Sequence, residues 1–298
     1  MPSAPTTPPQ QASSRRPILL LGVMNRCGTN HLAWLLGQHP DVHAAEAGRS
    51  GEDYLLKRAD LLADYAADTV RHWSDDHRDA MADRVLAAMG DGLLGVIRGD
   101  AADGQRLLLR TPRLFAIDQA ARLFPTARMV LLMRDGREVV ASAEKTFSAL
   151  PAGEWERRWS DGAERLWDVT AGQDAGDAPL PWQLVRFESL VADPRGTIER
   201  LLEGLGLDRA TYPWAALTSA PLIGSSTAMP AADAAQPRWT PTAKPADFKP
   251  KGRWHDWSPA RRWRFDRLCG AAMARWGYGA AAEARPGWWG WGRGRRAA

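Results

Sequence analysis

The chain has 298 residues, enough for one large α/β domain or two small ones, and its 45% hydrophobic content supplies a sizeable core. No apolar run reaches the roughly 18 residues that suggest a membrane span, and residues 1–17, rich in Pro, Ser, Thr and Gln, lack a signal-peptide core and read as a disordered leader. The net charge of +4 comes from the ends: residues 1–17 hold two arginines and residues 285–298 four, with no acid in either, so removing those six of 39 basic residues leaves 33 against 35 acidic ones and no argument for a nucleic-acid face.

The first predicted strand spans 18–23 and opens on Ile18-Leu19-Leu20-Leu21. It runs into Gly22-Val23-Met24-Asn25-Arg26-Cys27-Gly28-Thr29-Asn30, and a helix follows over 29–38 with Leu32, Leu35 and Leu36 at helical spacing. This is the layout of a phosphate-binding loop. Backbone N–H groups at a helix start face the anion, the helix dipole favours its charge, and glycine admits it close to the backbone. Arg26 adds a permanently charged planar fork, while Cys27, Gly28, Thr29 and Asn30 complete the candidate cradle. The Gly-Lys-Ser/Thr of nucleotide triphosphatases is missing, because Thr29 directly follows Gly28.

Helices are predicted over 53–66 and 76–89, then a strand over 106–109 followed by Arg110, then a helix over 113–123. A strand over 128–133 delivers Arg134-Asp135-Gly136-Arg137-Glu138 and a helix over 136–147, with Ser142 about two turns on. Arg134 and Ser142 form a second candidate anion site. The helix 153–172 carries Trp155, Trp159 and Trp167 on one face, a pattern of core or of an acceptor pocket. A strand over 182–187 and helices over 195–204 and 258–276 complete the pattern. Between them, residues 218–250 hold Pro221, Pro230, Pro237, Pro241, Pro245 and Pro250 without periodicity. A stretch of this length in a compact domain reads as a lid or a surface excursion, and its place before Lys251-Gly252-Arg253 favours a lid.

Apolar strands alternating with amphipathic helices predict an α/β fold: a parallel central sheet with helices on both faces, and ligands outside the strand carboxyl ends. Residues 18–278 form the predicted single domain, and 279–298 a flexible Trp/Arg-rich tail. Cys27 and Cys269 lie far apart, and a cytoplasmic chain without disulfides is the default expectation. The six histidines show no metal-ligand spacing. Trp288, Trp289 and Trp291 beside Arg293, Arg295 and Arg296 leave a weak membrane-surface contact open, with a disordered tail favoured.

Together these segments resemble the sulfotransferases that use 3′-phosphoadenosine-5′-phosphosulfate. Asn25-Arg26-Cys27-Gly28-Thr29-Asn30 stands where that family commonly reads Pro-Arg-Ser-Gly-Thr-Thr around the 5′-phosphosulfate. Arg134 and Ser142 match the family's 3′-phosphate pair, with Gly136 in place of a proline. His39-Pro40-Asp41-Val42, Arg110-Thr111-Pro112, Leu123-Phe124-Pro125-Thr126-Ala127-Arg128 and Val185-Arg186-Phe187-Glu188-Ser189-Leu190-Val191 are similar to further family elements, as is Lys251-Gly252-Arg253-Trp254 before a helix ending Trp276-Gly277-Tyr278. The resemblance implies the sulfotransferase version of the fold of P-loop nucleotide hydrolases. It implies a sulfuryl donor leaving as adenosine 3′,5′-bisphosphate, no metal, and Lys251, Gly252 and Arg253 closing over the 3′-phosphate.

Sulfuryl transfer to a hydroxyl or amine of a small-molecule or glycan acceptor asks for in-line alignment, fixed donors for developing negative charge, and a base for the acceptor proton. Arg26, Thr29 and the loop amides suit the second task. Arg110 stands for a family lysine near the transferring group, with a salt bridge to Asp118 or a neighbour as the competing reading. The base implied by the resemblance is a glutamate after the His-Pro element. Glu46 lies seven residues past His39, whereas Glu52, in Gly51-Glu52-Asp53-Tyr54-Leu55-Leu56, better matches a Gly-Glu followed by an apolar run and is favoured narrowly; helix capping competes for Glu52. Cys27 reads as a serine substitute, with a thiol of lowered pKa as the alternative. His31 reads as a helix residue and Glu188 as structural. An ATP-dependent kinase-like enzyme and a catalytically silent nucleotide-binding module are the alternative functions. The sequence names neither the acceptor nor the oligomeric state.

Overall fold

Strand β1 (Ile18–Gly22) is buried along its whole length, as an unbroken Ile/Leu run must be when both faces of a sheet are covered. The computed structural model describes residues 16–44, 56–73, 77–99, 101–114, 117–147, 150–170, 180–223, 242–243, 252–279 and 291–292. After β1 come α1 (Thr29–Leu36), β2 (Val42–Ala44), α2 (Ala59–Val70), α3 (Arg78–Arg98), β3 (Arg106–Thr111) and α4 (Ile117–Leu123). The second half contains β4 (Arg128–Met133), α5 (Gly136–Thr146), α6 (Glu154–Thr170), β5 (Trp182–Arg186), α7 (Phe187–Ala192), α8 (Pro194–Leu205), α9 (Ala216–Ser219), α10 (Pro259–Arg275) and β6 (Trp291–Gly292).

The sheet order is β2-β3-β1-β4-β5-β6. The first five strands are parallel, with β1 joined to β3 at Leu20↔Arg110 and to β4 at Leu20↔Val130. Chain leaving β1 crosses to one side of the sheet, toward β2. Chain leaving β4 goes to the other side, toward β5. The carboxyl ends of β1 and β4 therefore flank the topological switch point, where a parallel sheet opens a crevice for a ligand. Val23 continues β1 by donating its N–H to Leu132 O (2.9 Å), which fixes the two strand ends to each other.

The parallel α/β sheet agrees with the sequence expectation. Three elements were not legible there. β2 has three residues, too few for a periodic signal. α7 begins directly at the end of β5, where Phe187 had been assigned to the strand. β6 is antiparallel to β5, pairing Gln183 with Trp291, and lies within the segment expected to be a flexible tail. α3 also runs nine residues past its predicted end, to Arg98. Gly90 permits its close approach to α4, because a Cβ there would sit 1.9 Å from Leu123 O.

Most of 218–250, the expected lid, lies outside the described residues. Within it, Leu222 and Thr242 exchange two backbone hydrogen bonds of 2.9 Å. Trp155 and Trp159 are buried, and Trp167 packs edge-on against Trp276 at 5.5 Å. The aromatic face of α6 is thus core, the first of its two sequence readings.

Candidate active site

The turn between β1 and α1 is held in a shape most side chains avoid. Arg26 has φ of 78° and Gly28 φ of 109°, and left-handed backbone at a non-glycine residue is uncommon outside functional turns. Gly28 is required twice over, since a Cβ there would also sit 2.5 Å from the Phe187 ring. Gly22 is equally confined: its Cβ would meet Cys27 Sγ at 2.5 Å and Pro112 O at 2.9 Å. α1 starts with no side-chain cap and no acid in its first turn. Its first N–H groups and dipole face the crevice beside buried Thr29 and partly buried Asn30.

Arg134 leaves the end of β4 and donates from Nη1 to Arg26 O (3.1 Å), which pins the strained turn. Its guanidinium lies over Phe187, 4.2 Å from the ring centroid. From α5, Ser142 Oγ accepts from Arg26 Nε at 3.2 Å. Arg134, Glu138 and Ser142 are spaced by four residues, and the two on α5 project from one helix face. Gly252 donates its N–H to Glu138 Oε1 at 2.5 Å, and this places the next residue, Arg253, beside Arg26 and Arg134. Burial is the largest influence holding the Arg26 pKa down, to about 10, followed by Arg253 and Arg134. Arg253 is lowered as well, by burial first and then by Arg134. Three guanidiniums and a hydroxyl thus gather at the switch point, an arrangement whose mutual repulsion an anion would relieve.

Helix α6 supports this floor from behind. Trp159 Nε1 donates to Arg134 O (3.2 Å), and Gly162, one turn on, brings the helix so close that a Cβ would sit 2.0 Å from Val23 O. Glu188 joins the frame through two bonds. It accepts from Asp135 N–H at 3.0 Å and from the Tyr278 hydroxyl at 2.9 Å, which agrees with its structural reading: it fastens two distant segments. Burial, then the Glu188 charge, pushes the Tyr278 pKa up, so the hydroxyl stays a donor.

A family model described as "Sulfotransferase family" matches residues 17–211, more than half the chain. The chain belongs to the sulfotransferase family. It is 27% identical over 227 residues to protein-tyrosine sulfotransferase 1 of Danio rerio, an alignment covering 70% of this chain and 58% of that one. The chain therefore spans less than two thirds of that relative's length. Among solved structures it is similar to the sulfotransferase domain of the Synechococcus olefin synthase (17% identity, 65% of this chain, 74% of that chain, TM-score 0.44). It is also similar to a sulfotransferase from Mycobacterium tuberculosis (20% identity, 71% and 73% coverage, TM-score 0.42).

Within this sulfotransferase frame several sequence readings change. Cys27 is fully buried, and that burial raises its pKa to about 11, against the lowered pKa considered for a thiol at a helix start. The thiol fills space under Gly22, which favours the serine-substitute reading over a reactive thiol. The Gly252 N–H is committed to Glu138, so the backbone donor expected over the 3′-phosphate is occupied and Arg253 is the described part of that element facing the cluster. Arg110 lies inside β3 rather than after it and is buried. His31 is partly buried, 6.4 Å from Phe187 edge-on. His39 accepts from Asp41 N–H at Nδ1 (3.1 Å) and lies 3.0 Å from Asp208 O at Nε2. The protonated nitrogen is therefore Nε2 and the residue is structural. Glu46, Glu52 and Lys251 lie outside the described residues. Sequence reasoning assigned no part in the site frame to Phe187, Trp159 or Glu138. Glu138 left a signal for that role, its fourfold spacing between Arg134 and Ser142, and Trp159 left one for packing.

Proposed function

We propose that the chain transfers a sulfuryl group from 3′-phosphoadenosine-5′-phosphosulfate to a hydroxyl or amine of a small-molecule or glycan acceptor, with a glutamate as general base. The observation that carries this reading is a further set of anion-binding groups beside the loop at the start of α1: Arg134 and Ser142 meet the loop through Arg26, and Arg253 lies near Arg26 and Arg134. A nucleotide with phosphates at both ends of its ribose needs two such sites; a nucleoside triphosphate needs one. The donor set fits in kind, since guanidiniums, a hydroxyl and backbone N–H groups supply what phosphate and sulfate oxygens accept.

When bound, the nucleotide supplies an activated sulfuryl group. Gly28, Thr29, Asn30 and the loop amides hold its 5′ end, and Arg26, pinned between Ser142 and Arg134, keeps positive charge between the two ends. Arg134, Ser142, Arg253 and Lys251 hold the 3′-phosphate. Arg110 serves substrate or donor at the end of β3. Glu52, or Glu46 in its place, takes the acceptor proton; a positioned carboxylate contributes about 10²–10⁴-fold. The Danio rerio relative's name adds a protein tyrosine hydroxyl to the acceptors worth screening. No helix among the described residues is long and apolar enough to cross a membrane.

Calorimetry with adenosine 3′,5′-bisphosphate, against 5′-AMP and ATP–magnesium, tests the reading. Binding that requires the 3′-phosphate and weakens about 10–150-fold in Arg134→Ala is the expected result, the loss of one charge-assisted contact. Preference for ATP–magnesium, or no binding of the bisphosphate, would overturn it.

A further inference from the structure

Resting on the proposed donor site, we infer that Glu138 is a positioning residue for 3′-phosphate selectivity: its carboxylate fastens the Gly252 amide and so sets Arg253 in the anion cluster.

The need for such a fastener follows from charge. Arg253 lies where Arg26 and Arg134 already crowd positive charge into a buried space, and its own pKa is lowered by burial and by Arg134. Before an anion arrives, repulsion works to push Arg253 away. Glu138 opposes this in two ways. Its Oε1 accepts from Gly252 N–H at 2.5 Å, one residue from Arg253, and its charge is the attraction that offsets part of the Arg253 shift. The turn beyond is tied locally, by His255 N–H to Gly252 O at 3.3 Å and Trp257 N–H to Trp254 O at 3.0 Å, with Arg137 over the Trp254 ring at 4.3 Å. Holding Gly252 therefore holds a compact unit.

The backbone of Gly252 has φ of 92°, which most other residues would strain to adopt. Glu138 is 4% exposed, and its Oε2 has no hydrogen-bond partner among the described residues. A buried carboxylate with one bare oxygen is a poor device for stability alone. On α5 it lies one turn before Ser142, so a single helix face carries both a phosphate ligand and the fastener of another.

The experiment reads two quantities. The first is the ratio of affinities for adenosine 3′,5′-bisphosphate and 5′-AMP in wild type, Glu138→Ala and Glu138→Gln. The second is hydrogen exchange at the amides of residues 252–257 in nucleotide-free protein. Glu138→Ala is expected to reduce the ratio by about tenfold or more, the loss of one charge-assisted bond, and to speed exchange at Gly252. Glu138→Gln, which keeps an acceptor oxygen, is expected to retain the ratio. Gly252→Ala should lower the ratio without adding to Glu138→Ala, because one contact is lost in both. An unchanged ratio in Glu138→Ala would overturn the inference, as would equal loss for both nucleotides in Ala and Gln variants. Exchange separates the two proposals. If wild type shows no 3′-phosphate preference while its Gly252 amide is protected by Glu138, the donor reading has failed and the fastening stands. An unprotected Gly252 amide in wild type would sink the fastening itself.

Discussion

Gly136→Ala tests why this chain departs from the family's proline at the head of α5. Gly136 has ordinary negative φ, so alanine costs nothing in backbone conformation. The obstacle is Trp159, whose Cδ2, Cε2 and Cε3 would lie 2.6, 2.7 and 2.8 Å from the new Cβ. Carbon atoms pack comfortably at about 3.5–4.0 Å, so the indole must retreat by roughly 1 Å. Trp159 is fully buried, and cores resist such overpacking at about 1–3 kcal/mol. Alanine's helix propensity returns at most about 1 kcal/mol. The net expectation is about 1–2 kcal/mol of destabilisation, or a fall in Tm of roughly 2–8 °C for a domain of this size. The displacement also reaches the site, because Trp159 Nε1 holds Arg134 O; affinity for adenosine 3′,5′-bisphosphate should fall by more than that for 5′-AMP. Scanning calorimetry and titration measure both. Trp159→Phe in the Gly136→Ala background should recover part of the packing loss, a positive coupling between neighbours. A Gly136→Ala protein as stable as wild type, with unaltered nucleotide selectivity, would refute the assignment of Gly136 to the Trp159 contact.

Three further outcomes are expected. Arg26→Gly relieves both the left-handed backbone and a partly buried charge, so the nucleotide-free protein should gain stability, on the order of 1–3 kcal/mol by urea unfolding, while nucleotide binding is lost; weakened stability would show that Arg26 is held favourably even without an anion. The Cys27 thiol, raised in the fold from the ordinary value of 9.0 to about 11, contributes stability that is complete below pH 9 and is lost as pH rises through 11. Cys27→Ser should flatten that decline in thermal scans and leave turnover largely intact, and native protein at pH 8 should resist alkylation. Glu52→Gln should lower turnover by about 10²–10⁴-fold without weakening nucleotide binding, with Glu46→Gln as the alternative; full turnover in both variants would remove the glutamate base.

The parallel sheet was legible because its central strands are uninterrupted apolar runs: Ile18–Leu21 and Met129–Met133 are buried on both faces and leave a pattern that few other structures share. The two candidate anion segments stand out in the sequence because the chemistry proposed for each is local, a glycine turn or an arginine with a serine two turns on. What was not legible depends on contacts between distant segments. Cys27 read as either a serine substitute or a reactive thiol, and only its burial beneath Gly22 decides between them. Gly252 read as a phosphate donor because its partner lies 114 residues away in sequence. Phe187 read as the last residue of a strand, whereas it starts α7, meets Gly28 and supports the Arg134 guanidinium.

The same contacts explain how a fold can keep a cluster of arginines charged and in place. Among the nearby acids with described bonds, Glu138 and Glu188 each commit an oxygen to a backbone N–H, of Gly252 and Asp135 respectively. A carboxylate already accepting such a bond fixes the backbone around the site while surrendering less of its charge to the guanidiniums. Asp135 is engaged likewise, with its side chain capping α5 at Arg137 N–H (2.8 Å) and pairing with the Arg137 guanidinium at 2.6 Å. Arg137 faces Trp254 and the Tyr278 carbonyl. The acids thus fasten the frame, and Arg26, Arg134 and Arg253 supply the positive charge within it. This division of labour predicts that the frame outlasts loss of the ligand, whereas the cluster does not tolerate loss of the frame.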